Sequence, residues 1–405
     1  MVASLVGSEI LKIAGEIGAM VAQGKKIANF TVGDFDPKYF PIPELLKSEI
    51  HAAIDAGLTN YPPSSGMPKL REAVAAFYQR EFGFPVKSGE ILIAGGARPL
   101  IYSTFLALLN PGDKVVYPVP SWNNNHYTHL ARAEGVILET KPENNFLPTL
   151  ADLAPHLKTA RLICLNSPLN PSGTVFSESA LREICIAILK ENGRRKQAGE
   201  SELYLMYDHI YWMIRHGGQR HMNPIALLPE MREYTVFIDG VSKYFCGTGL
   251  RVGWAMMPEK ILLPFSNLLG HVGAWAPKPE QEATARYLTN TGAVKDFMGT
   301  LHRELEGRLR PLYEGLLDMK KRGLPVDVIE PQGGIYLSLR ILPRGQLQTN
   351  EKIRRSLLEQ GSIAVVPFQA FGYPKDDGWF RMSVGAVSVA DIHFALEKLE
   401  AYFTS

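Results

Sequence analysis

The feature that most constrains the fold is an alternation of short apolar runs with helix-length stretches. Five runs have the length and composition of buried strands: EILIA (90–94), KVVYP (114–118), RLICLN (161–166), LYLMYD (203–208) and TVFID (235–239). Strands that alternate with helices form mostly parallel sheets that the helices cover. The pattern therefore predicts an α/β fold, with a large domain built on a mostly parallel sheet flanked by helices.

Helix signals lie between and after these runs. Pro68 suits the first turn of the stretch 67–82, and Ser177 can cap the stretch 177–192. Beyond about residue 290 a long helical segment leads into four short strand-like runs and a terminal helix, which is typical of a smaller α+β domain. The predicted domains are a large domain at 45–290 and a small domain formed by 1–44, which includes an N-terminal arm, and 291–405.

Composition excludes several classes of protein. The chain has 43 basic and 41 acidic residues, so no strong field draws it to nucleic acid or to an anionic membrane. Its three cysteines are too few and too far apart for a disulfide framework or a zinc site, so no metal is expected. Charged residues interrupt the first thirty positions, and no apolar run is long enough to span a membrane. We expect an unprocessed cytoplasmic protein.

Candidate site residues follow the apolar runs, where ligands bind in open α/β sheets. GGARPL after EILIA is a glycine turn that opens a helix, and its free backbone N–H groups suit a phosphate. Asp208 ends a run and is placed either to pair with a cationic ring nitrogen or to cap a helix. Lys243 and Arg251 lie in the glycine-rich stretch GVSKYFCGTGLRVGW. Each feature alone has an ordinary structural explanation, but their combination and order favour one shared site.

These segments resemble a known family over nearly the whole chain. GVSKYFCGTGLRVGW is similar to the pyridoxal 5'-phosphate (PLP) lysine signature of the class I/II aminotransferases, PLP-dependent enzymes of fold type I such as aspartate aminotransferase. Four further segments follow in the family's order: PSW (120–122), its ring-stacking aromatic; NSPLNPSG (166–173), its NPxNPTG turn; YDHIY (207–211), its Asp-x-x-Tyr segment; and WFRMSVG (379–385), its substrate-arginine strand.

The resemblance implies a role for each matching residue around the cofactor ring. Lys243 would hold PLP as a Schiff base and move the proton at the substrate Cα, which requires an amine that is not locked as ammonium. Asp208 would keep the pyridine nitrogen protonated. Asn170 and Tyr211 would hydrogen-bond the phenolic oxygen of the cofactor, and Trp122 would stack on its ring.

The resemblance also implies how the cofactor phosphate is bound. The backbone N–H groups of Gly96 and Ala97 would contact it together with Arg251, and Tyr61 would reach it from the second subunit of a homodimer. Gly240 lies where many relatives carry a phosphate-binding serine, so backbone groups, Ser242 or Arg98 are expected to compensate. Asn125 lies where some relatives place a histidine behind the cofactor aspartate.

Substrate contacts are implied less completely. Arg381 would bind the α-carboxylate as a bidentate pair, assisted by Asn170 and by the backbone N–H of Gly33. The segment 266–281 falls where relatives place part of the substrate pocket and offers no arginine for a second carboxylate. It offers His271, Trp275 and Lys278.

Three functions remain open from the sequence. The first is a PLP-dependent aminotransferase that moves an amino group from an α-amino acid, whether aspartate, aromatic or broad in range, to a 2-oxo acid. The second is a PLP-dependent C–S β-lyase that acts on cysteine conjugates and uses the same cofactor contacts. The third, a PLP-binding regulator, is disfavoured because the roughly thirty residues before TVGDFDP are too few for a DNA-binding domain.

Overall fold

The structure is a computed structural model that describes residues 9–122, 124–343 and 345–404. Its strands are β1 (Ala28–Asn29), β2 (Ile91–Ala94), β3 (Lys114–Val119), β4 (Glu134–Glu139), β5 (Ala160–Asn166), β6 (Tyr204–Asp208), β7 (Thr235–Gly240), β8 (Gly253–Met256), β9 (Val326–Ile329), β10 (Tyr336–Ile341), β11 (Ile363–Ala364), β12 (Val366–Pro367) and β13 (Trp379–Ser383). Its helices are α1 (Glu9–Ala22), α2 (Glu44–Asp55), α3 (Pro68–Phe82), α4 (Ala97–Leu108), α5 (Asn124–Leu130), α6 (Leu150–Leu153), α7 (Glu178–Ala198), α8 (Pro224–Leu227), α9 (Glu259–Val272), α10 (Lys278–Thr289), α11 (Thr291–Lys321), α12 (Asn350–Glu359) and α13 (Val389–Thr404).

The predicted parallel sheet is present with two strands more than the five that were predicted. Seven strands lie in the order β2-β8-β7-β6-β5-β3-β4, and only β8 runs antiparallel to its neighbours. The strands β4 and β8 were missed. Of these, β4 is an edge strand with mostly exposed residues, so it lacks the apolar signal of a buried strand.

The two helix starts that the sequence predicted are confirmed. Pro68 begins α3, and the Ser177 side chain accepts a hydrogen bond from the Ala180 N–H at the start of α7. Strands after residue 325 form a four-stranded antiparallel sheet in the order β12-β13-β10-β9, while β1 pairs with β11. The domain boundaries near 44 and 290 stay a prediction.

The parallel sheet places three chain turns beside one another. Asn166 ends β5, Asp208 ends β6 and Gly240 ends β7, and the register pairs Asn166 with Asp208 and Asp208 with Ile238. Because these strands are parallel, their carboxyl ends lie at the same edge of the sheet.

Within the described ranges, no helix has the length and apolarity needed to cross a membrane.

Candidate active site

A cavity of about 660 Å³ lies at this edge of the sheet. Segments far apart in the chain form its wall: the loop after β1, the start of α4, the turns after β5, β6 and β7, and the strands β10 and β13. The lining residues that bear on function are Gly33, Asp34, Ala97, Arg98, Ile101, Trp122, Asn166, Asn170, Asp208, Tyr211, Ser242, Lys243, Arg251, Tyr336 and Arg381.

Lys243 projects into this cavity from the turn that follows β7. Its Nζ donates a hydrogen bond to the Gly33 carbonyl oxygen at 2.9 Å. Removal from bulk water lowers the pKa of the Lys243 amine from 10.5 to about 8, an effect that Asp34 opposes and Arg381 strengthens. A substantial fraction of this amine is therefore neutral near physiological pH, as a nucleophile or base requires.

Asp208 lies on the cavity floor at the end of β6. One carboxylate oxygen accepts the Ile210 N–H at 3.2 Å, and burial raises the pKa of the carboxyl to about 6, an effect that the nearby Lys243 amine opposes. A cationic partner inside the cavity would hold this carboxyl in its ionised form. Asn125 does not lie behind Asp208, because it is exposed on α5. Partial burial raises the pKa of the Tyr127 phenol, and the nearby Asp208 adds to this effect.

Two asparagines fix the turn after β5 against the turn after β6. The Asn166 side-chain amide donates to the Asp208 carbonyl oxygen at 2.7 Å, and its own oxygen accepts the Asn170 N–H at 2.8 Å. The Asn170 side-chain oxygen accepts from Arg381 at 3.2 Å. Because a guanidinium only donates, Asn170 must turn its oxygen to Arg381, which leaves its NH₂ group to donate to another acceptor.

Arg381 is a buried cation without a carboxylate partner among the described residues. It is 1% exposed, its Nη2 donates to the Thr31 carbonyl oxygen at 2.7 Å, and its Nε has no hydrogen-bond partner within the described chain. A side chain at Gly33 would place its Cβ 3.2 Å from Arg381 Nη1. Glycine at position 33 therefore keeps free the space in front of the guanidinium, where a carboxylate can bind.

Two buried phenols complete this wall of the cavity. The hydroxyl oxygens of Tyr211 and Tyr336 lie 2.6 Å apart, and the Tyr211 ring centroid is 5.7 Å from Lys243 Nζ. Burial raises the pKa of both phenols, so both stay protonated and able to donate. The sequence analysis included Tyr211 but missed Tyr336.

The opposite end of the cavity is shaped for an anion. Gly96 has φ 97° just before α4, and a Cβ there would lie 2.3 Å from Arg251 Nη2. The Gly96 N–H donates to the Ala94 carbonyl oxygen at 2.7 Å, and Pro99 has no N–H. The free amides of the first helical turn are therefore those of Ala97 and Arg98, beside the Arg251 guanidinium.

Comparison with known proteins decides the family. The profile of class I and II aminotransferases matches residues 25–399. The chain belongs to this family. An aspartate aminotransferase of Rhizobium meliloti (strain 1021) is 29% identical over 99% of this chain and 94% of that relative. An aspartate/prephenate aminotransferase of Thermus thermophilus is 30% identical over 93% and 91% of the two chains. The solved structure of Thermus thermophilus aspartate aminotransferase with maleate has a TM-score of 0.88 at 26% identity, over 99% of this chain and 98% of that one.

The aminotransferase family depends on PLP, so the predicted fold type, cofactor and reaction class are confirmed. The named relatives are aminotransferases, and the β-lyase alternative gains no support from them. The cavity fits PLP in three ways. Gly96 leaves room for the Arg251 guanidinium beside the first amides of α4, where a phosphate can bind; Asp208 suits a cationic ring nitrogen; and burial lowers the pKa of the Lys243 amine, so that part of it is neutral.

The absent phosphate-binding serine has a steric explanation. A Cβ at Gly240 would lie 2.7 Å from the Val252 carbonyl oxygen and 2.8 Å from the Gly253 Cα, so no side chain fits at position 240 without a shift of β8. Ser242 lines the cavity two residues later. Arg98 also lines it, and its guanidinium lies 5.4 Å from the centre of the Trp122 ring.

Tyr61 and the three residues that the segment 266–281 offered for a substrate pocket, His271, Trp275 and Lys278, also lie outside this cavity. Tyr61 is 82% exposed, and its ring centroid is 5.3 Å from that of Trp275. Both line a separate groove of about 830 Å³ together with Lys278, whose amine donates to the Asn60 side chain. His271 is exposed near the end of α9. Within one chain, none of these four contributes to the cavity.

Proposed function

We propose that Lys243, Asp208 and Arg381 carry the aminotransferase reaction of this chain, with an α-amino acid as donor and a 2-oxo acid as acceptor. One observation carries the proposal: Gly33 contacts both Lys243 and Arg381. Its carbonyl oxygen accepts from the Lys243 amine, and its Cα lies against the Arg381 guanidinium. A carboxylate bound by Arg381 therefore has its Cα and amino group beside Lys243.

Each residue has one task in this reaction. Bound PLP supplies an electron-withdrawing ring that stabilises negative charge at the substrate Cα. The neutral Lys243 amine would take the proton from the substrate Cα and hold it there for its return. The Asp208 carboxylate would hold the ring nitrogen of the cofactor in its protonated form. Arg381 holds the α-carboxylate and so orients the Cα–H bond toward Lys243.

The remaining contacts hold the cofactor in place. The amides of Ala97 and Arg98, the Ser242 hydroxyl and the Arg251 guanidinium converge on the phosphate end of the cavity. The side-chain NH₂ of Asn170 is free to donate to the phenolic oxygen, the Tyr211 hydroxyl can donate there when Tyr336 is the donor in their shared hydrogen bond, and Trp122 offers its ring for stacking. The Gly96 amide takes no part, because it already donates to Ala94.

We propose a broad range of amino donors. In the described chain the arginines of the cavity are Arg98, Arg251 and Arg381, and the first two lie at the phosphate end. No arginine is left for a second carboxylate, whereas Ile101 and Tyr336 offer apolar and aromatic surface. The names of the two relatives above mention aspartate and prephenate, which differ widely in size and shape, and this is consistent with a broad substrate range.

The donor range is tested by steady-state kinetics with 2-oxoglutarate as acceptor. We expect kcat/KM values for aspartate and phenylalanine to agree within about 150-fold, because one unmatched charged hydrogen bond contributes no more than about 3 kcal/mol. Full-spectrum stopped-flow with each donor should end in the absorbance of the pyridoxamine form. An aspartate preference above about 1000-fold would contradict the broad range. Faster release of pyruvate and ammonia from a cysteine conjugate would favour the β-lyase.

We also propose that the active protein is a homodimer whose second subunit covers the Tyr61 groove. Tyr61 is large, exposed and remote from the cavity of its own chain, and the Trp275 indole N–H beside it is buried without a hydrogen-bond partner among the described residues. Exposed apolar side chains on α9, Leu263 and Val272, add to this surface. In the dimer the Tyr61 hydroxyl donates to the phosphate of the neighbouring site.

The dimer is tested with two variants that complement each other. Tyr61→Phe should weaken PLP binding by about 10- to 100-fold, because a hydrogen bond to a charged group is lost. Mixing Tyr61→Phe with Lys243→Ala subunits should restore tight binding at the one mixed site that has both Tyr61 and Lys243. Analytical ultracentrifugation of the wild-type protein at micromolar concentration should give the mass of a dimer. A monomer in the centrifuge, or no recovery in the mixture, would contradict the proposal.

Location and domain division remain proposals as well. Three buried cysteines without disulfides support a reducing, cytoplasmic compartment. The seven-stranded sheet uses strands between 91 and 256, and the four-stranded sheet uses strands between 326 and 383. This separation supports a large domain at 45–290 and a small domain at 1–44 and 291–405.

A further inference from the structure

A buried polar network centred on Asp239 lies beneath the cavity. Asp239 is fully buried near the end of β7. One of its oxygens, Oδ2, accepts three hydrogen bonds: from Trp212 Nε1 at 2.8 Å, from the Tyr78 hydroxyl at 2.9 Å and from the Tyr244 hydroxyl at 3.1 Å. The other, Oδ1, accepts the Gly240 N–H at 2.8 Å. The proposed reaction uses none of these side chains.

Hydrogen bonds are the main compensation for burying this carboxyl. The ionisable groups that face it are the phenols Tyr78 and Tyr244 and the imidazole of His209, whose Nε2 lies 3.9 Å from Asp239 Oδ2. Burial lowers the pKa of His209 well below its usual value and raises that of Asp239 to about 8. No cation in the described part of the chain therefore neutralises the carboxyl, and loss of one donor leaves part of it unsatisfied.

The network is connected to the site through the chain itself. Trp212 follows Tyr211, Tyr244 follows Lys243, and both donate to Asp239. The side chain of one residue faces the cavity, and the side chain of the next binds the network. Two cavity residues that lie 32 positions apart are thus held through a single oxygen atom.

Asp208 is connected to the same network by one further step. His209 follows Asp208, and its Nε2 lies 3.0 Å from the Tyr78 hydroxyl that donates to Asp239. Its ring also stacks on Trp212 at 6.1 Å between centroids. The Trp254 indole donates to Tyr78 at 3.1 Å and so fixes β8 to the same phenol.

We infer that Asp239 is a positioning residue that sets the relative placement of Lys243, Tyr211 and Asp208. The inference rests on the proposed function, since it takes these three as the residues that contact the cofactor. Asp239 touches neither cofactor nor substrate; it acts by fixing the residue that follows each of them in the chain. Loss of one donor should therefore change the environment of the Lys243 amine and the affinity for PLP.

The test removes one donor at a time. Tyr244→Phe deletes a hydroxyl and keeps the ring, whereas Trp212→Phe deletes the indole N–H together with part of a buried ring. In each variant we expect the pH midpoint of the visible cofactor band to move by about half a unit or more, and PLP release to become about 5- to 30-fold faster. Because both donors share Asp239 Oδ2, the double variant should show less than the sum of the two shifts.

Tyr373→Phe is the matched control. Its buried phenol donates to the Asp377 carboxylate at 3.0 Å in the loop before β13, so the same chemical group is deleted outside the network. We expect it to lower thermal stability without moving the spectral midpoint. If Tyr244→Phe and Trp212→Phe behave like this control, Asp239 only stabilises the core and the inference is overturned.

A conservative variant gives a second test. In Asp239→Asn the amide oxygen can keep the three side-chain donors only if the new NH₂ group faces the Gly240 N–H. We expect this variant to shift the band in the same direction as the other two. A wild-type protein without any PLP band would overturn the role of Lys243 and this inference together. A wild-type band with unmoved midpoints in all three variants would overturn the inference alone.

Discussion

Replacing Lys243 with alanine should abolish covalent PLP binding and lower kcat/KM for transamination by about 10⁴-fold or more, because both the nucleophile and the base at Cα are lost. The wild-type protein should show a visible band that borohydride removes, with the cofactor then fixed to the peptide that contains Lys243. The variant should show the spectrum of free or loosely bound PLP. Absorbance spectra and peptide mass analysis after reduction measure both outcomes.

The pH dependence of attachment gives an independent check on the same amine. Burial lowers the pKa of Lys243 in the cofactor-free protein to about 8. Half of the amine is therefore neutral at about pH 8, whereas an ordinary lysine reaches that point only near pH 10.5. The rate of PLP attachment should rise about tenfold per pH unit below 7 and level off above 8. An exposed lysine would continue to gain reactivity up to pH 10. A rate that is still rising steeply at pH 9 would contradict the lowered pKa.

The control for Lys243→Ala is Lys38→Ala, which removes an exposed lysine near the cavity loop and should keep the band and the activity. A Lys243→Ala protein that still forms a borohydride-fixed adduct on another lysine would refute the assignment. Slow turnover with an added primary amine would be compatible with it, since an external base then replaces the missing side chain.

The strands of the core were predictable because burial on both faces gives a continuous apolar run. The runs at 161–166 and 203–208 became β5 and β6 with almost unchanged ends. The strand β4 is exposed at the edge of the sheet and lacks that signal. The short β8 is buried and apolar, but it begins inside the glycine-rich stretch that was assigned to a loop, so its signal was overlooked.

Site residues that follow the strands of the parallel sheet could be predicted from the sequence. Site residues contributed by the four-stranded sheet were harder to predict. Asp208 and Lys243 follow strands of one sheet, so their convergence follows from topology. Tyr336 reaches the cavity from β10, 125 residues after Tyr211, and no spacing rule connects the two. The Asp239 network could not be predicted either, since its donors are also far apart in the chain. A lone aspartate at a strand end resembles an ordinary helix cap until those donors are known.

Replacing Arg381 with leucine should lower kcat/KM for amino acids by about 10³-fold while the PLP band persists. The guanidinium is already desolvated and is held by Thr31 and Asn170 before any substrate binds. Binding therefore needs little reorganisation, and most of the lost interaction should appear as weaker substrate binding. Arg381→Lys keeps the charge without the bidentate geometry and should lose about 10- to 100-fold. Spectral titration with an unreactive carboxylic acid measures the affinity directly.

Arg340→Leu is the matched control for Arg381→Leu. Arg340 lies on the adjacent strand β10, opposite Trp379, and donates to the Asp377 carbonyl oxygen at 2.9 Å, outside the cavity. The Arg340→Leu substitution should leave the affinity for the carboxylic acid unchanged. Amines without an α-carboxylate provide the second comparison, because Arg381→Leu should remove the preference for amino acids over them. If Arg381→Leu retained both its carboxylate affinity and this preference, the α-carboxylate would have to bind elsewhere, and the placement of the substrate Cα beside Lys243 would fail with it.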